Sequence, residues 1–161
     1  MNFFDAACQE PPIKNARFGI CDDQDGTRAY TDVTDETKWV ATVINPIQID
    51  LVFTAIDACV IKSDEAPGRG RCDGMLTSSE HLYFVELKDQ RSGWTPGAID
   101  QLESTIQFFI QHHDISTFRH KKAFACNKRH PAFQEIDNEL NKRFFKDYKV
   151  RLDVQAEIIV V

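Results

Sequence analysis

The most regular apolar pattern in the chain runs from residue 82 to residue 88. Alternation along a strand divides these residues into two faces: Tyr83, Val85 and Leu87 against Leu82, Phe84, Glu86 and Lys88. Both faces begin apolar, which is typical of a central strand covered on both sides. Charge stands only at the last two positions of one face, Glu86 and Lys88. Removing an acid and an amine from water is costly unless they pair or meet a metal ion; otherwise the strand simply surfaces there.

A second strand is predicted from Cys72 to Thr77. Turn residues at 67–70 precede it, and a tight connection at 77–81 leads into the 82–88 strand, so the two strands are expected to form a hairpin. With an unslipped register, residues near 73–75 lie opposite residues near 84–87. Asp73 and Glu86 are then placed to share a divalent cation. The alternative is that Asp73 caps its own backbone turn.

An amphipathic helix is predicted after the 82–88 strand. Thr95 is the expected N-cap and Pro96 the first helical position. Apolar residues then recur at helical spacing, namely Ile99, Leu102, Ile106, Phe109 and Ile110. Gln101 lies in the second turn, beside this stripe. It could reach a phosphate or a water at the end of the strand, or it could be a solvated side chain.

Several other segments carry clear patterns. Asp25-Gly26 predicts a hairpin turn between residues 17–20 and 28–30. This acidic turn lacks a complete calcium-loop ligand set, so calcium binding is not expected there. Strands are predicted at 37–44, 120–126 and 154–161, and a helix is predicted at 132–148. Residues 49–61 are apolar enough to form a core element, but their pattern fits either a helix or a strand.

Taken together, Asp73, Glu86-Leu87-Lys88 and Gln101 resemble the motif of the PD-(D/E)XK nuclease superfamily, across roughly residues 50–130. The resemblance implies a mixed α/β fold with a restriction-endonuclease-like core, in which a central mixed β-sheet is flanked by helices in the order α-β-β-β-α-β. The 120–126 segment fits the last strand. One domain spanning residues 1–161 is expected.

The resemblance also implies a chemistry. Asp73, Glu86 and the Leu87 carbonyl would bind Mg²⁺ or Mn²⁺, and Lys88 would orient or activate the attacking water. Gln101 would match the glutamine of the exonuclease-like branch. The expected function is therefore metal-dependent hydrolysis of phosphodiester bonds, with DNA favoured over RNA.

Some positions depart from the family pattern or leave it open. Cys72 stands where many members have proline, and Thr105 stands where the exonuclease-like branch has an aromatic residue. Many members also carry an acid on the first core helix. Both Glu36 and Glu10 are candidates for that acid.

The charge distribution bears on the expected partner. The chain has a net charge of −6, which is unlike a free-standing nucleic-acid binder. However, residues 1–86 carry 7 basic and 15 acidic side chains, while residues 87–161 carry 12 and 10. Candidate phosphate-binding cations are Lys121, Lys122, Lys128 and Arg129, with a further basic cluster from Lys142 to Arg151. The alternative is a solvated set of helix and loop charges.

The remaining composition predicts an ordinary globular protein. No apolar run approaches the roughly 18–20 residues of a transmembrane helix, and the N-terminus lacks the pattern of a signal peptide. The five cysteines form no C-X-X-C pair. They are expected to be reduced, mostly buried thiols in a cytoplasmic protein.

Two other functions stay open at this stage. The chain could be a catalytically inactive member of the fold that serves as an interaction or regulatory subunit. It could also be a nuclease subunit that acts only when a larger partner recruits it in defence or repair. A homodimer is possible, because many enzymes that cut both strands of a duplex are dimers.

Overall fold

The chain forms nine strands and two α-helices within residues 1–62 and 64–161, the residues that the computed structural model describes. The larger sheet has five strands in the order β4-β5-β6-β7-β8. Its first three strands are antiparallel neighbours, and β7 and β8 run parallel to β6. The strands are β4 (Val52–Ala55), β5 (Gly74–Thr77), β6 (His81–Lys88), β7 (His120–Asn127) and β8 (Arg151–Val154).

A smaller sheet has four strands in the order β2-β1-β3-β9. Strands β1 and β2 form the hairpin predicted around Asp25-Gly26, β3 pairs antiparallel with β1, and β9 lies parallel to β3. The strands are β1 (Arg17–Cys21), β2 (Tyr30–Asp32), β3 (Ala41–Ile44) and β9 (Glu157–Ile159). The protein is therefore mixed α/β, with two mixed sheets.

The two helices connect the parallel strands of the larger sheet. Helix α1 (Thr95–His112) joins β6 to β7, and α2 (Asn138–Tyr148) joins β7 to β8. Three short 3-10 helices lie at Ala6–Cys8, Glu36–Lys38 and Ile115–Thr117. Neither α-helix is both long and apolar enough to cross a membrane, within the described part of the chain.

Strand β6 has the two buried faces that its pattern predicts. Leu82 and Phe84 belong to a core shared with α1 and α2. Tyr83 and Val85 belong to a second core shared with the smaller sheet. The larger sheet is thus the middle layer of three, and β6 is its central strand. The antiparallel pairing of β5 with β6 confirms the predicted hairpin. Strand β7, which pairs parallel with β6, confirms the strand predicted at 120–126.

The helix boundaries differ from the predictions. Helix α1 begins at Thr95 with Trp94 as its N-cap, so Thr95 is not the cap and no side chain caps the first turn. Ile110, predicted on the apolar stripe, is 40% exposed. Helix α2 begins only at Asn138, because the Asp137 carboxylate accepts a hydrogen bond from the Glu139 amide and caps the helix there.

The segments on either side of α2 also differ. Phe133, predicted on the helix, is 63% exposed and precedes a bridge between Gln134 and Val154. The C-terminal segment predicted as one strand at 154–161 is split: β8 ends at Val154 in the larger sheet, and β9 lies in the smaller sheet. The segment at 49–61, for which the pattern fitted either a helix or a strand, contains strand β4. The segment predicted as one strand at 37–44 contains the end of a 3-10 helix and then β3.

The expectation of five reduced thiols is wrong for two of them. Cys8 and Cys59 form a disulfide across a sequence separation of 51 residues. Spacing along the chain gave no sign of this pairing, because the fold alone brings the Cys8 turn next to the loop that carries Cys59. Cys21, Cys72 and Cys126 are free and buried, as expected.

Reduction of the Cys8–Cys59 disulfide should destabilise the protein. Closing a loop of this length removes unfolded-state entropy worth up to about 4 kcal/mol in the chain-entropy model. We therefore expect a clear loss of unfolding free energy in urea when dithiothreitol is added. The Cys8→Ser/Cys59→Ser double variant is the control, because its stability should not respond to dithiothreitol. Five titratable thiols in the denatured, unreduced protein, instead of three, would contradict the bond.

Candidate functional site

The β5–β6 hairpin brings Asp73 next to Glu86. Gly74 pairs with Val85 as the first residue of β5, so the next position in register sets Asp73 opposite Glu86. Gly74 is required here, since a Cβ at this position would lie 2.4 Å from the Phe53 ring. The carboxyl groups of Asp73 and Glu86 are within hydrogen-bonding reach of each other. A single proton or cation between them would relieve their repulsion.

A backbone amide orients the Asp73 carboxyl group. Leu87 N donates to Asp73 Oδ2 at 2.7 Å. The amide is available because β5 begins at Gly74 and leaves the end of β6 without an antiparallel partner on that side. Burial and the nearby Glu86 charge raise the pKa of Asp73 well above its usual range.

Glu86 is buried and only partly satisfied. The residue is 1% exposed, and Lys88 Nζ lies 3.2 Å from Glu86 Oε2. Glu86 Oε1 has no hydrogen-bond partner among the described residues. Burial raises the pKa of the Glu86 carboxyl, and the Asp73 contact and the Lys88 charge oppose this rise. An unsatisfied buried carboxylate oxygen beside a second carboxyl group is an arrangement that a cation would stabilise.

The β1–β2 hairpin adds a third acid that the sequence analysis did not identify. Asp22, the first residue after β1, has its carboxyl within hydrogen-bonding reach of Asp73. Burial, together with the Asp73 charge, raises the pKa of Asp22 to about 6. Gln24 in the same turn donates to the Leu87 carbonyl at 3.5 Å. No local pattern could identify Asp22, because only the packing of one sheet on the other brings its turn to Asp73.

Helix α1 holds the segment that leads into Asp73. Thr105 Oγ1 accepts a hydrogen bond from Cys72 N at 2.7 Å and donates to the Gln101 carbonyl at 2.8 Å. The Gln101 side chain donates to the Arg71 carbonyl at 3.3 Å. Gln101 therefore contacts the backbone next to the site and not the carboxyl groups. A threonine on the apolar stripe of α1 was the sequence signal for this role.

The two candidate first-helix acids lie elsewhere. The Glu10 carboxylate accepts from Thr31, and Glu36 pairs with Arg17. Glu36 is in a 3-10 helix, and no α-helix precedes β4 in the described residues. Within the same part of the chain, no hydrogen bond or ion pair joins Glu10 or Glu36 to Asp73 or Glu86.

The candidate phosphate-binding cations separate into two pairs. Lys128 and Arg129 directly follow β7, and Lys128 N donates to the Lys88 carbonyl at 2.9 Å. This pair is at the carboxylate end of the sheet, although Arg129 also pairs with Asp89 at 2.8 Å. Lys121 and Lys122 are at the other end, because they pair in register with Leu82 and Tyr83. They cannot act with Lys88 at one phosphate.

The donor set fits a hard divalent cation in part. Asp73 and Glu86 supply carboxylate oxygens, and the Leu87 carbonyl lies on the same side of β6 as the amide that binds Asp73. Oxygen donors of this kind are those that Mg²⁺ and Mn²⁺ prefer. No group of three His, Cys, Asp or Glu side chains in residues 1–62 and 64–161 surrounds a single point where a metal ion could bind. A metal ion held here would therefore rely on the two carboxylates and backbone or water oxygens.

A cleft of about 420 Å³ lies at the loop that carries Asp57, and Asp22, Asp73 and Glu86 are not among its lining residues. It is lined by Gly26, Asp57, Ala58, Lys62 and Arg71. Asp57 N donates a hydrogen bond to the Cys72 carbonyl at 3.2 Å, so the cleft adjoins the segment that leads into Asp73. Arg71 pairs with Asp57 at 2.6 Å. The cleft thus has Lys62 and the paired Arg71 on its wall and lies near the backbone of the site.

Comparisons with protein-family models, with curated proteins and with solved structures found no match.

The stability of the metal-free protein should depend on Asp22 and pH. An unfolded aspartate titrates near pH 4 and folded Asp22 near pH 6, so the folded state binds more protons between these values and loses stability as the pH rises through them. Asp22→Asn should match wild type near pH 4 and exceed it at pH 7 by on the order of 1–2 kcal/mol. Thermal unfolding in EDTA measures this difference. The exposed Asp50→Asn is the control, and a less stable Asp22→Asn at pH 7 would contradict the clustering.

Removal of the Thr105 hydroxyl should destabilise the protein. In Thr105→Val the side-chain shape is kept, but the buried Cys72 amide loses its acceptor, which costs about 1–3 kcal/mol. Thr105→Ser keeps the hydroxyl and should lie closer to wild type in urea unfolding. Equal stability of wild type and Thr105→Val would mean that the amide finds another partner.

Proposed function

We propose that this protein is a Mg²⁺- or Mn²⁺-dependent nuclease of the PD-(D/E)XK type, acting on DNA in preference to RNA. The observation that carries the proposal is the pairing of Asp73 and Glu86 at the buried end of β6, with Lys88 in contact with Glu86. Two acids and an amine in this arrangement suit hydrolysis of a phosphodiester bond beside a metal ion.

The order of elements supports the same proposal. Strands β4, β5 and β6 are followed by α1 and then by β7 parallel to β6. This matches the β-β-β-α-β part of the core that the superfamily resemblance implies. The helix expected before β4 is replaced by the β1–β2 hairpin. We assign to Asp22, at the turn of that hairpin, the role for which Glu36 and Glu10 were the candidates, because its carboxyl group lies near Asp73.

Each residue has a distinct part in the proposed reaction. Asp73 and Glu86, with the Leu87 carbonyl, would hold the metal ion, which when bound polarises the phosphate and lowers the pKa of its water. Leu87 N fixes the Asp73 carboxyl, and Lys88 supplies positive charge next to the attacked phosphate. Gln101 and Thr105 are positioning residues, because they act through the backbone of Arg71 and Cys72. The cleft beside Asp57 and Arg71 is the proposed entrance for the substrate.

The test is Mn²⁺-dependent cleavage of single-stranded, duplex and branched DNA and of RNA. Asp73→Asn, Glu86→Gln and Lys88→Met should each lower the rate by about 100-fold or more, since each removes a group from the reacting centre. Glu80→Gln is the matched control, because Glu80 is an exposed acid at the opposite end of the same strand and should leave the rate unchanged. Thermal unfolding confirms that each variant is folded.

Calorimetric titration with Mn²⁺ distinguishes the proposed nuclease from a non-catalytic subunit and from a nuclease that acts only with a partner. Binding that is lost in Glu86→Gln supports the metal site independently of any substrate. A folded wild type that binds no Mn²⁺ up to millimolar concentration would contradict the proposal and favour a non-catalytic interaction subunit. Metal binding with cleavage only after a partner protein is added would keep the chemistry and indicate recruitment.

A further inference from the structure

A groove of about 530 Å³ lies between helix α2 and the edge strand β8. Four cations line it, namely Lys142, Lys146, Lys149 and Arg151, together with one carboxylate, Asp153. An adjoining cleft adds Arg119, Lys121 and Lys122 to the same surface. The chain as a whole has a net charge of −6. This surface, which we term the α2–β8 groove, is therefore positively charged although the chain as a whole is negatively charged.

The cations of the α2–β8 groove are largely free of ion pairs. Lys122 and Asp153 pair at 3.7 Å. Among the described residues, the other six have no carboxylate oxygen within 4.0 Å. Elsewhere on the surface Arg17, Arg71, Arg129 and Arg143 each pair with an acid. Single cations such as Lys38 and Arg91 also lack an ion pair among the described residues, so what distinguishes the groove is the number of such cations on one surface. Like charges crowded without partners repel one another, and a polyanion would relieve this repulsion.

The spacing along α2 produces this surface. Lys142, Phe145, Lys146 and Lys149 recur at intervals of three and four residues, so they share one face of the helix. Phe144 lies on the opposite side and is fully buried in the core. The cationic face is therefore set by the same amphipathic pattern that docks the helix.

An aromatic ring lies among these cations. Phe145 is 44% exposed. Lys149 Nζ is 5.4 Å and Arg151 Cζ 5.5 Å from its ring centroid. An exposed aromatic ring flanked by cations is how proteins bind single-stranded nucleic acid: the cations contact phosphates and the ring stacks on an unpaired base.

The groove is separate from the carboxylate site. Arg151 pairs in register with Lys122, and Val154 with Ala125, which in turn pairs with Glu86. Arg151 is thus three residues along and two strands across from Glu86, roughly 14 Å between backbones at the usual strand spacings. The groove and the carboxylate site are therefore two separate surfaces of the molecule.

We propose that the α2–β8 groove binds single-stranded nucleic acid, through phosphates on Lys142, Lys146 and Arg151 and a base on Phe145. This binding does not rest on the hydrolysis proposed above, because it needs neither a metal ion nor Asp73 and Glu86. The two proposals can therefore fail separately.

The test is fluorescence anisotropy of a labelled 20-nucleotide oligodeoxythymidylate and of a duplex of the same length, with EDTA present. Lys142→Glu/Lys146→Glu should weaken binding of the single strand at least about tenfold and reduce the salt slope by about 0.7 for each lost phosphate contact. Phe145→Ala should weaken the single strand about tenfold and the duplex much less, because a duplex offers no unpaired base to the ring. Asp50→Asn, which changes an exposed acid outside the groove and outside the carboxylate site, should bind as wild type does.

Matched variants control for charge and for an exposed ring. Lys14→Glu/Lys38→Glu makes the same charge change elsewhere, and Phe133→Ala removes another exposed phenylalanine; neither should alter affinity by more than about twofold. The proposal is overturned if the control pair weakens binding as much as the groove pair, or if wild type binds no oligonucleotide at low salt. Binding to phosphatidylserine vesicles without binding to the oligonucleotide would also overturn it.

Discussion

Strand β6 has no face directed to solvent, and the rest of the fold follows from that constraint. Its alternate side chains enter two different cores, so one layer of helices and one layer of strands must cover the larger sheet. A parallel neighbour such as β7 needs a long crossover, which α1 supplies and which also covers one face. The second face is covered by the smaller sheet. The same covering layers desolvate Glu86, which continues one of the two apolar faces.

Burial of Glu86 and Asp73 close together at the end of β6 costs electrostatic free energy. Lys88 balances one negative charge, while Asp22 adds another carboxyl group next to Asp73. Burial and mutual repulsion raise the pKa values of Asp22 and Asp73, and burial raises that of Glu86. The cluster can be relieved by protons or by a cation. Protons and the metal ion of the proposed function would therefore compete for the same oxygens.

The elements that the sequence predicted correctly are those determined by residues close together in the chain. The alternation in β6, the turn at Asp25-Gly26 and the helical stripe after Trp94 each depend on neighbours in the chain, and the structure contains all three. The register that sets Asp73 opposite Glu86 followed from a short connection, for the same reason. The predicted start of α2 at residue 132 is wrong, because the helix begins after the Asp137 cap.

Features that depend on contacts between distant segments could not be predicted from the sequence. Cys8 and Cys59 meet only because the N-terminal turn packs on the loop after β4. Asp22 reaches Asp73 only because two sheets stack. The difference between Lys121–Lys122 and Lys128–Arg129 needed the direction of β7, which sets one pair at each end. Thr105 is an intermediate case: its position on the apolar stripe was visible, but its partner, the Cys72 amide, was not.

Net charge is a poor guide to this protein, because its two charged regions lie at different places on one sheet. The acids Asp22, Asp73 and Glu86 lie together at the C-terminal end of β6, and a group of cations without ion pairs lies between α2 and β8. A sum over the chain reports only the excess of acids. At distances beyond about 10 Å, salt screens exposed charges from one another, so a polyanion near the groove experiences mainly the local cations. A cation near Asp73 experiences mainly the local carboxylates. An acidic chain can in this way present one surface of positive charge and another of negative charge, which the two proposals assign to phosphates and to a metal ion.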